Sequence, residues 1–346
     1  MKQSQKQKYT FYLGTYTNED SEGIYRYKLH PDGSLESAGL AARSENPSFL
    51  VVDPEQQILL AVNEIQNETG VGTVETYRIT NDSLTFLSRG SSGGAHPCFV
   101  AFRDGLVLIA NYTGGNVAVL KLDSLGHLSD ILDLQQHTGM GVSPRQQGPH
   151  AHSVWFGPTN KDILAADLGT NEIWISQLDR EQGLLSEPAR LRLEPEAGPR
   201  HLAIHPNGTW IYAVNELNST ITLIDHANNQ YQLRESFSTL PDGFSEKNFP
   251  SHILITGDGR YLYAANRGHN SIAIFSILKD GTLELKGHES CGGDWPRHFV
   301  LSPDERFLLV ANQRSRSIVS LARDVDNGGL RYSSAIPAPI PACIAF

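Results

Sequence analysis

Residues 198–225 read GPRHLAIHPNGTWIYAVNELNSTITLID. The apolar run Leu202–Ile204 stops at Pro206-Asn207-Gly208, a strong turn signal, and resumes at Trp210–Val214. The stretch therefore predicts an antiparallel hairpin, a loop and a third strand. In such a hairpin the start of the first strand and the end of the second lie at the same edge. Arg200 and His201 are expected beside Asn215 and Glu216, so backbone geometry alone gathers a cation, an imidazole, an amide and a carboxylate.

This unit repeats along the chain. A proline opening a short apolar strand recurs at Pro47, Pro97, Pro149, Pro199, Pro250, Pro296 and Pro341, at intervals of 50, 52, 50, 51, 46 and 45 residues. A second column follows, usually sixteen residues on: AVNE at 61–64, IANY at 109–112, AADL at 165–168, AVNE at 213–216, AANR at 264–267 and VANQ at 310–313. LGTY at 13–16 supplies the seventh copy. Two further strand patterns complete each unit, as in SIAIFSIL and GTLELKGHE with Asp280-Gly281 turning them. Four short strands per unit of about 50 residues, repeated around a ring, are the signature of a β-propeller. The expected fold is all-β: a single seven-bladed β-propeller domain, 1–346, with four-stranded antiparallel blades. The chain starts within a unit at Tyr9–Tyr16 and stops just after a first strand, so Ala342–Phe346 should complete the blade begun by residues 9–41. That closure would remove free sheet edges.

Composition narrows the function classes. The 346 residues carry a formal charge of −10, with 39% apolar and 19% charged residues. A folded core is expected, whereas a general nucleic-acid or anionic-membrane binder would show a basic surface. No apolar run approaches the ~20 residues of a membrane-spanning helix. MKQSQKQK at the N-terminus is polar and is read as carrying no signal peptide. Cys98, Cys291 and Cys343 lie far apart without a CxxC pair, which suits a reducing, cytoplasmic setting and gives neither a disulfide framework nor a zinc knuckle.

The repeated proline and the Asn column (63, 111, 215, 266 and 312, with Asp167 in the same place) are read as architecture. Proline suits the first residue of a strand, and Asn bonds its side chain to nearby backbone. Function is sought where equivalent positions differ. The residue after the Asn column is Tyr16, Glu64, Tyr112, Leu168, Glu216, Arg267 and Gln313. Arg200 and Arg297 follow the proline, His201, His252 and His298 come next, and one unit carries Pro149-His150-Ala151-His152. First strands line a propeller's channel, so Arg200, Arg267, Arg297, Glu64, Glu216, His150, His152, His252 and Tyr112 are expected around one mouth. Three arginines at one opening of an acidic protein suggest an anionic small-molecule ligand.

Competing structural readings stand beside these. Histidines 201 and 298 can fill channel space, and Arg200 with Glu216 can be a plain buried ion pair. His150 and His152 would share a strand face, with Glu216 in the next blade, a geometry that permits His–acid chemistry. No compact ligand motif favours a metal, and no cofactor motif is present. Gln135–Gly148 and Pro241–Asn248 are longer insertions on the same face and candidate rims for a site. For any one residue in them, Arg145 included, ordinary surface loop is the competing reading.

GPHAHSVWF (148–156), ADLGTNEIWI (166–175), GPRHLAIHPNG (198–208), YAVNELNSTI (212–221), GRYLYAANRGHNSIAIF (259–275) and RFLLVANQRSRSIV (306–319) together resemble the seven-bladed lactonase propellers. That family includes bacterial 6-phosphogluconolactonases and fungal carboxymuconate cyclases. The resemblance spans essentially the whole chain and implies hydrolysis of 6-phosphoglucono-δ-lactone to 6-phosphogluconate. It also implies an active centre at His152, Arg200, Glu216 and Arg267. Many members carry an acidic residue before the His that opens the fifth unit. Phe249-Pro250-Ser251-His252 stands there instead, which leaves Glu216 as the main carboxylate.

Opening a δ-lactone requires an activated water and stabilisation of an oxyanion. Glu216 or His152 is the candidate base, Arg200 or Arg267 the oxyanion partner and Arg297 the phosphate partner. No Ser–His–Asp arrangement stands out, so direct water attack is expected. A cyclase acting on a carboxylated diene and a non-catalytic interaction platform are the alternatives.

Overall fold

A computed structural model describes residues 7–55, 57–80, 83–159 and 161–346. Most of the polar N-terminal stretch, residues 1–6, lies outside the described residues, and with it most of the segment read as lacking a signal peptide. Seven separate antiparallel sheets follow one another along the chain, six of them running from the axis outward in sequence order and the seventh taking its axial strand from the C-terminus. The hairpin of residues 198–225 forms as expected: Pro199–Ile204 pairs with Trp210–Asn215, which pairs with Thr220–Ala227, and Gln230–Ser238 lies outermost. The turn is closed by Gly208 N donating to His205 O at 2.9 Å.

The first strands of successive sheets pack against one another in a closed ring, from Pro47–Asp53 round to the C-terminal strand Pro341–Ala345. That last strand pairs with Tyr9–Thr15, as Tyr12↔Ala345, Leu13↔Ile344 and Gly14↔Cys343, so both chain ends build one blade. Gly14 sits where a Cβ would strike the Pro47 carbonyl oxygen of the adjacent blade, which explains glycine in this copy of the repeat.

The second strands are apolar on both faces because each lies between two neighbouring sheets. Every residue of Ile58–Asn63, Leu106–Asn111 and Phe307–Asn312 is buried. Clusters such as Leu60, Val62, Ile109, Ala118 and Leu120 fill the space between blades. Each buried Leu, Ile or Val contributes about 1.5–3 kcal/mol relative to exposure.

The expected register holds: Pro47↔Asn63, Pro199↔Asn215, Pro250↔Asn266 and Pro296↔Asn312. The Asn side chains tie the second strand to the link that arrives from the preceding blade's outer strand. Asn63 Nδ2 donates to Glu45 O at 2.7 Å, Asn111 Nδ2 to Ser92 O at 2.7 Å and Asn312 Nδ2 to Cys291 O at 2.8 Å. Their role is architectural.

Two details differ from the expectation. The outer strand of the fourth blade is split into Leu184–Leu185 and Ala189–Arg192, because Pro188 has no N–H for the ladder. The insertion expected at Gln135–Gly148 begins later, since Asp133–Gln136 pairs with Asn116–Val119 as the third blade's outer strand.

Candidate active site

Every first strand carries a register shift at the residue after its opening position: between Pro47 and Phe49, Pro97 and Phe99, Ala151 and Ser153, Pro199 and His201, Pro250 and Ile253, and Pro296 and His298. The closing strand shifts likewise, opposite Gly14/Thr15. Such a bulge leaves one residue out of the ladder and re-aims its side chain. The skipped positions form a ring: Ser48, Cys98, His152, Arg200, Ser251, Arg297 and Ala342. In the fourth blade Ala151, not Pro149, takes the proline's place opposite Asp167. His152 therefore stands in the same column as Arg200 and Arg297, an equivalence that alignment on prolines alone conceals.

A second ring is formed by the residues after the Asn column. Glu64 N donates to Asn46 O at 2.9 Å, Tyr112 N to His96 O at 2.9 Å, Glu216 N to Gly198 O at 2.8 Å and Gln313 N to Trp295 O at 3.0 Å. The same backbone bond thus fixes different side chains at one rim.

Where the two rings carry charge, they meet on Glu216. Its Oε2 accepts from Arg200 Nε at 3.0 Å and from Arg267 Nη2 at 2.7 Å. Its Oε1 accepts from Arg145 Nη1 at 2.5 Å. Arg145 Nη2 also donates to the Tyr112 hydroxyl at 3.1 Å. Beside this group, Arg297 bonds the Tyr16 hydroxyl, which donates to Glu64 at 2.7 Å, and Arg297 lies 3.8 Å from Glu64. A cleft of about 570 Å3 lined by Tyr16, Glu64, Arg297, Gln313, Arg314 and Arg316 opens on the same rim.

The electrostatics follow from burial. Burial opposes ionisation of Glu216, but the guanidiniums of Arg267, Arg200 and Arg145 outweigh it and hold its pKa well below the usual carboxylate range. Burial, reinforced by Arg267, lowers Arg200 to about 9. Burial and then Arg200 push His152 well below the ordinary imidazole value, so it is neutral at physiological pH.

His150 stacks on Tyr112 at 4.5 Å and bonds its carbonyl at 3.0 Å, and His152 meets the Tyr112 ring edge at 5.3 Å. Cys98 Sγ is 3.7 Å from His152 Nδ1. His201 and His252 lie behind this layer. Arg200 Nη1 approaches His201 Nε2 at 3.1 Å, and His201 Nδ1 approaches His252 Nδ1 at 2.8 Å. With Arg200 as donor, His201 carries its proton on Nδ1 and passes that hydrogen bond to His252. The rings of Phe49, Phe99 and His298 continue this filling across the channel.

The structure thus brings Arg200, Glu216 and Arg267 into direct contact, sets His152, His150 and Tyr112 at their side, and places Arg297 with Glu64 next to them. His201 and His252 back Arg200 from within. Arg145, one of several residues in an irregular loop, completes the shell around Glu216. A single arginine in an aperiodic stretch offers no signal beyond the length of the insertion. Among the described residues no group of three or more His, Cys, Asp or Glu is arranged to hold a metal ion. The arrangement suits binding an anion and stabilising negative charge next to a neutral imidazole.

Comparison with known proteins agrees with the seven-bladed fold. Residues 10–346 match the family model described as Lactonase, 7-bladed beta-propeller. The 6-phosphogluconolactonase of Bacillus subtilis is 36% identical over 348 aligned residues, covering 98% of both chains. A crystal structure of a Lactobacillus plantarum protein superposes with a TM-score of 0.93 at 31% identity, covering 98% of this chain and 99% of that one. The periplasmic gluconolactonase of Pseudomonas aeruginosa superposes with a TM-score of 0.91 at 30% identity, covering 98% of each.

Proposed function

The chain belongs to the seven-bladed β-propeller lactonase family and is a lactonase-type hydrolase, and we propose that it converts 6-phosphoglucono-δ-lactone to 6-phosphogluconate. This would serve the oxidative pentose phosphate route. The observation that carries the substrate class is the convergence of Arg145, Arg200 and Arg267 on Glu216, with Arg297 beside them. Four guanidiniums face two carboxylates, Glu216 and Glu64, an excess that favours an anionic ligand.

The proposed roles follow from the same geometry. Glu216 is held so firmly ionised, with both oxygens engaged, that it is a weak proton acceptor; it aligns the arginines. His152 is neutral and is the base that takes a proton from water as oxygen attacks the lactone carbonyl carbon. Arg200 and Arg267 stabilise the resulting oxyanion. The carbonyl re-forms, the ring C–O bond breaks, and protonated His152 returns the proton to the departing ring oxygen. Arg297 and the Tyr16–Glu64 pair form one wall against the substrate ring, with Tyr112 and His150 forming another. His201 and His252 support the binding face through Arg200. Burial is the main cause that lowers His152; a dianionic substrate would offset only the lesser contribution of Arg200 and Arg297.

The test is the initial rate on freshly generated 6-phosphoglucono-δ-lactone, coupled to 6-phosphogluconate dehydrogenase and corrected for spontaneous opening. A rate well above background is expected. No acceleration, together with turnover of a carboxymuconate, would move the chain to the cyclase branch.

A further inference from the structure

Of the cations on Glu216, Arg145 alone comes from outside the blades' strands. It lies in the segment between Asp133–Gln136 and Ala151–Phe156. The segment is pinned at several points. His137 Nδ1 lies 2.7 Å from Asp167 Oδ2, with its ring stacked on Trp174 at 3.9 Å, and His150 N donates to Asp167 Oδ1 at 2.8 Å. Next to Arg145, fully buried Gln146 donates to Leu168 O at 2.8 Å and to Asn171 Oδ1 at 3.1 Å. Asp replaces Asn in the repeated column at 167 because its neighbours here are backbone N–H donors and the His137 ring, and a carboxylate offers acceptors only. The backbone beneath Arg145 is therefore fixed, while its side chain is 44% exposed, against 3% for Arg200 and 6% for Arg267.

We propose that Arg145 is a specificity-determining residue that binds the anionic substituent of the substrate, exchanging Glu216 Oε1 and the Tyr112 hydroxyl for that group. This rests on the lactonase reading and assigns the substituent as the 6-phosphate. The exchange is favourable at Arg145 and unfavourable at its neighbours. Glu216 keeps Arg200 and Arg267 on Oε2 when Arg145 leaves, so no buried carboxylate is stranded. Moving Arg200 or Arg267 would strip the Ser251 or Phe249 carbonyl of its donor, a loss that Arg145 does not incur. A phosphate monoester carries about −1.5 to −2 charge at pH 7, which matches the two guanidiniums in excess at the mouth. The planar guanidinium suits it, and Tyr112, stacked on His150, fixes the place from which it departs.

The experiment compares wild type, Arg145→Ala and Arg145→Lys on 6-phosphoglucono-δ-lactone and on glucono-δ-lactone, which differ only by the phosphate. Arg145→Ala should lower kcat/KM for the phosphorylated lactone about 10–100-fold more than for the neutral one, mainly through KM, with partial rescue by Lys. Equal losses on both lactones, or no loss, would overturn the proposal. A second arm measures 6-phosphogluconate and gluconate binding by calorimetry. Wild type should prefer the phosphorylated acid and Arg145→Ala should lose that preference, whether or not either lactone is turned over. Absence of turnover with this preference intact in wild type and lost in the variant rejects the hydrolase assignment alone. Binding without the preference, or a preference that survives in Arg145→Ala, rejects the clamp.

Discussion

Two rings of equivalent residues lie close together around the mouth and behave in opposite ways. The Asn column repeats one residue type in five of its copies, is buried, and bonds second strands to the backbone of the link arriving from the preceding blade. The bulge ring places Ser48, Cys98, His152, Arg200, Ser251, Arg297 and Ala342 at structurally equal positions with unequal chemistry. In the first ring, identity serves a bond made many times over. In the second, the backbone supplies one direction repeatedly, and each blade is free to present a different group to the same small volume. A propeller thereby separates the residues that hold the ring from the residues that act.

Substitutions in the two rings should separate these roles. The largest effect is expected for Arg200→Ala. It removes an oxyanion partner, leaves Ser251 O and His201 Nε2 without their donor, and takes one of three guanidiniums from Glu216. kcat/KM should fall about 10²–10³-fold, and stability should drop by up to about 3–5 kcal/mol in chemical denaturation because a buried ion pair is broken. Activity within a few-fold of wild type would mean that Arg200 with Glu216 is only a structural pair. Asn312→Ala should do the reverse. Loss of its bond to Cys291 O should lower stability by about 1–3 kcal/mol while kcat stays within about twofold. A large fall in kcat with unchanged stability would erase the distinction between the rings.

A smaller, graded effect is expected from pH. Burial, then Arg200 and Arg297, lower His298 to about 3, and burial likewise lowers His152, His201 and His252. Unfolded histidines titrate near 6.5. Between those values the unfolded chain binds protons that the folded chain does not, so stability is full above pH 6.5 and declines as pH falls towards 3. Protonating His298 also removes the acceptor for Ile344 N, at 3.3 Å, on the strand that closes the ring. Denaturation midpoints measured from pH 7 to 4 should show this slope, and His298→Gln should flatten it. Parallel curves would contradict it.

Much of this was legible in the chain because it depends on register. A proline and an Asn sixteen residues apart define a hairpin, and a hairpin places Arg200 beside Glu216 without any knowledge of packing. Arg267, in the next blade's version of the same position, follows from the repeat. What escaped depended on departures from the repeat. His152 entered the bulge ring because the fourth blade shifts two residues past its proline, which spacing alone does not reveal. Arg145 arrives through a loop whose path is set by His137, Asp167 and Gln146, contacts between residues about 20–30 apart that no period encodes. The channel filling by Phe49, Phe99 and the histidines reflects space left at the axis once seven blades close.

The most direct test of the central claim is the initial rate of 6-phosphoglucono-δ-lactone hydrolysis by His152→Gln beside wild type, with thermal midpoints measured on the same samples. The account predicts a folded variant whose kcat is lower by about 10²–10⁴-fold, as expected for loss of a general base. An unchanged kcat in the folded variant would remove His152 from the chemistry and return the role of base to Glu216.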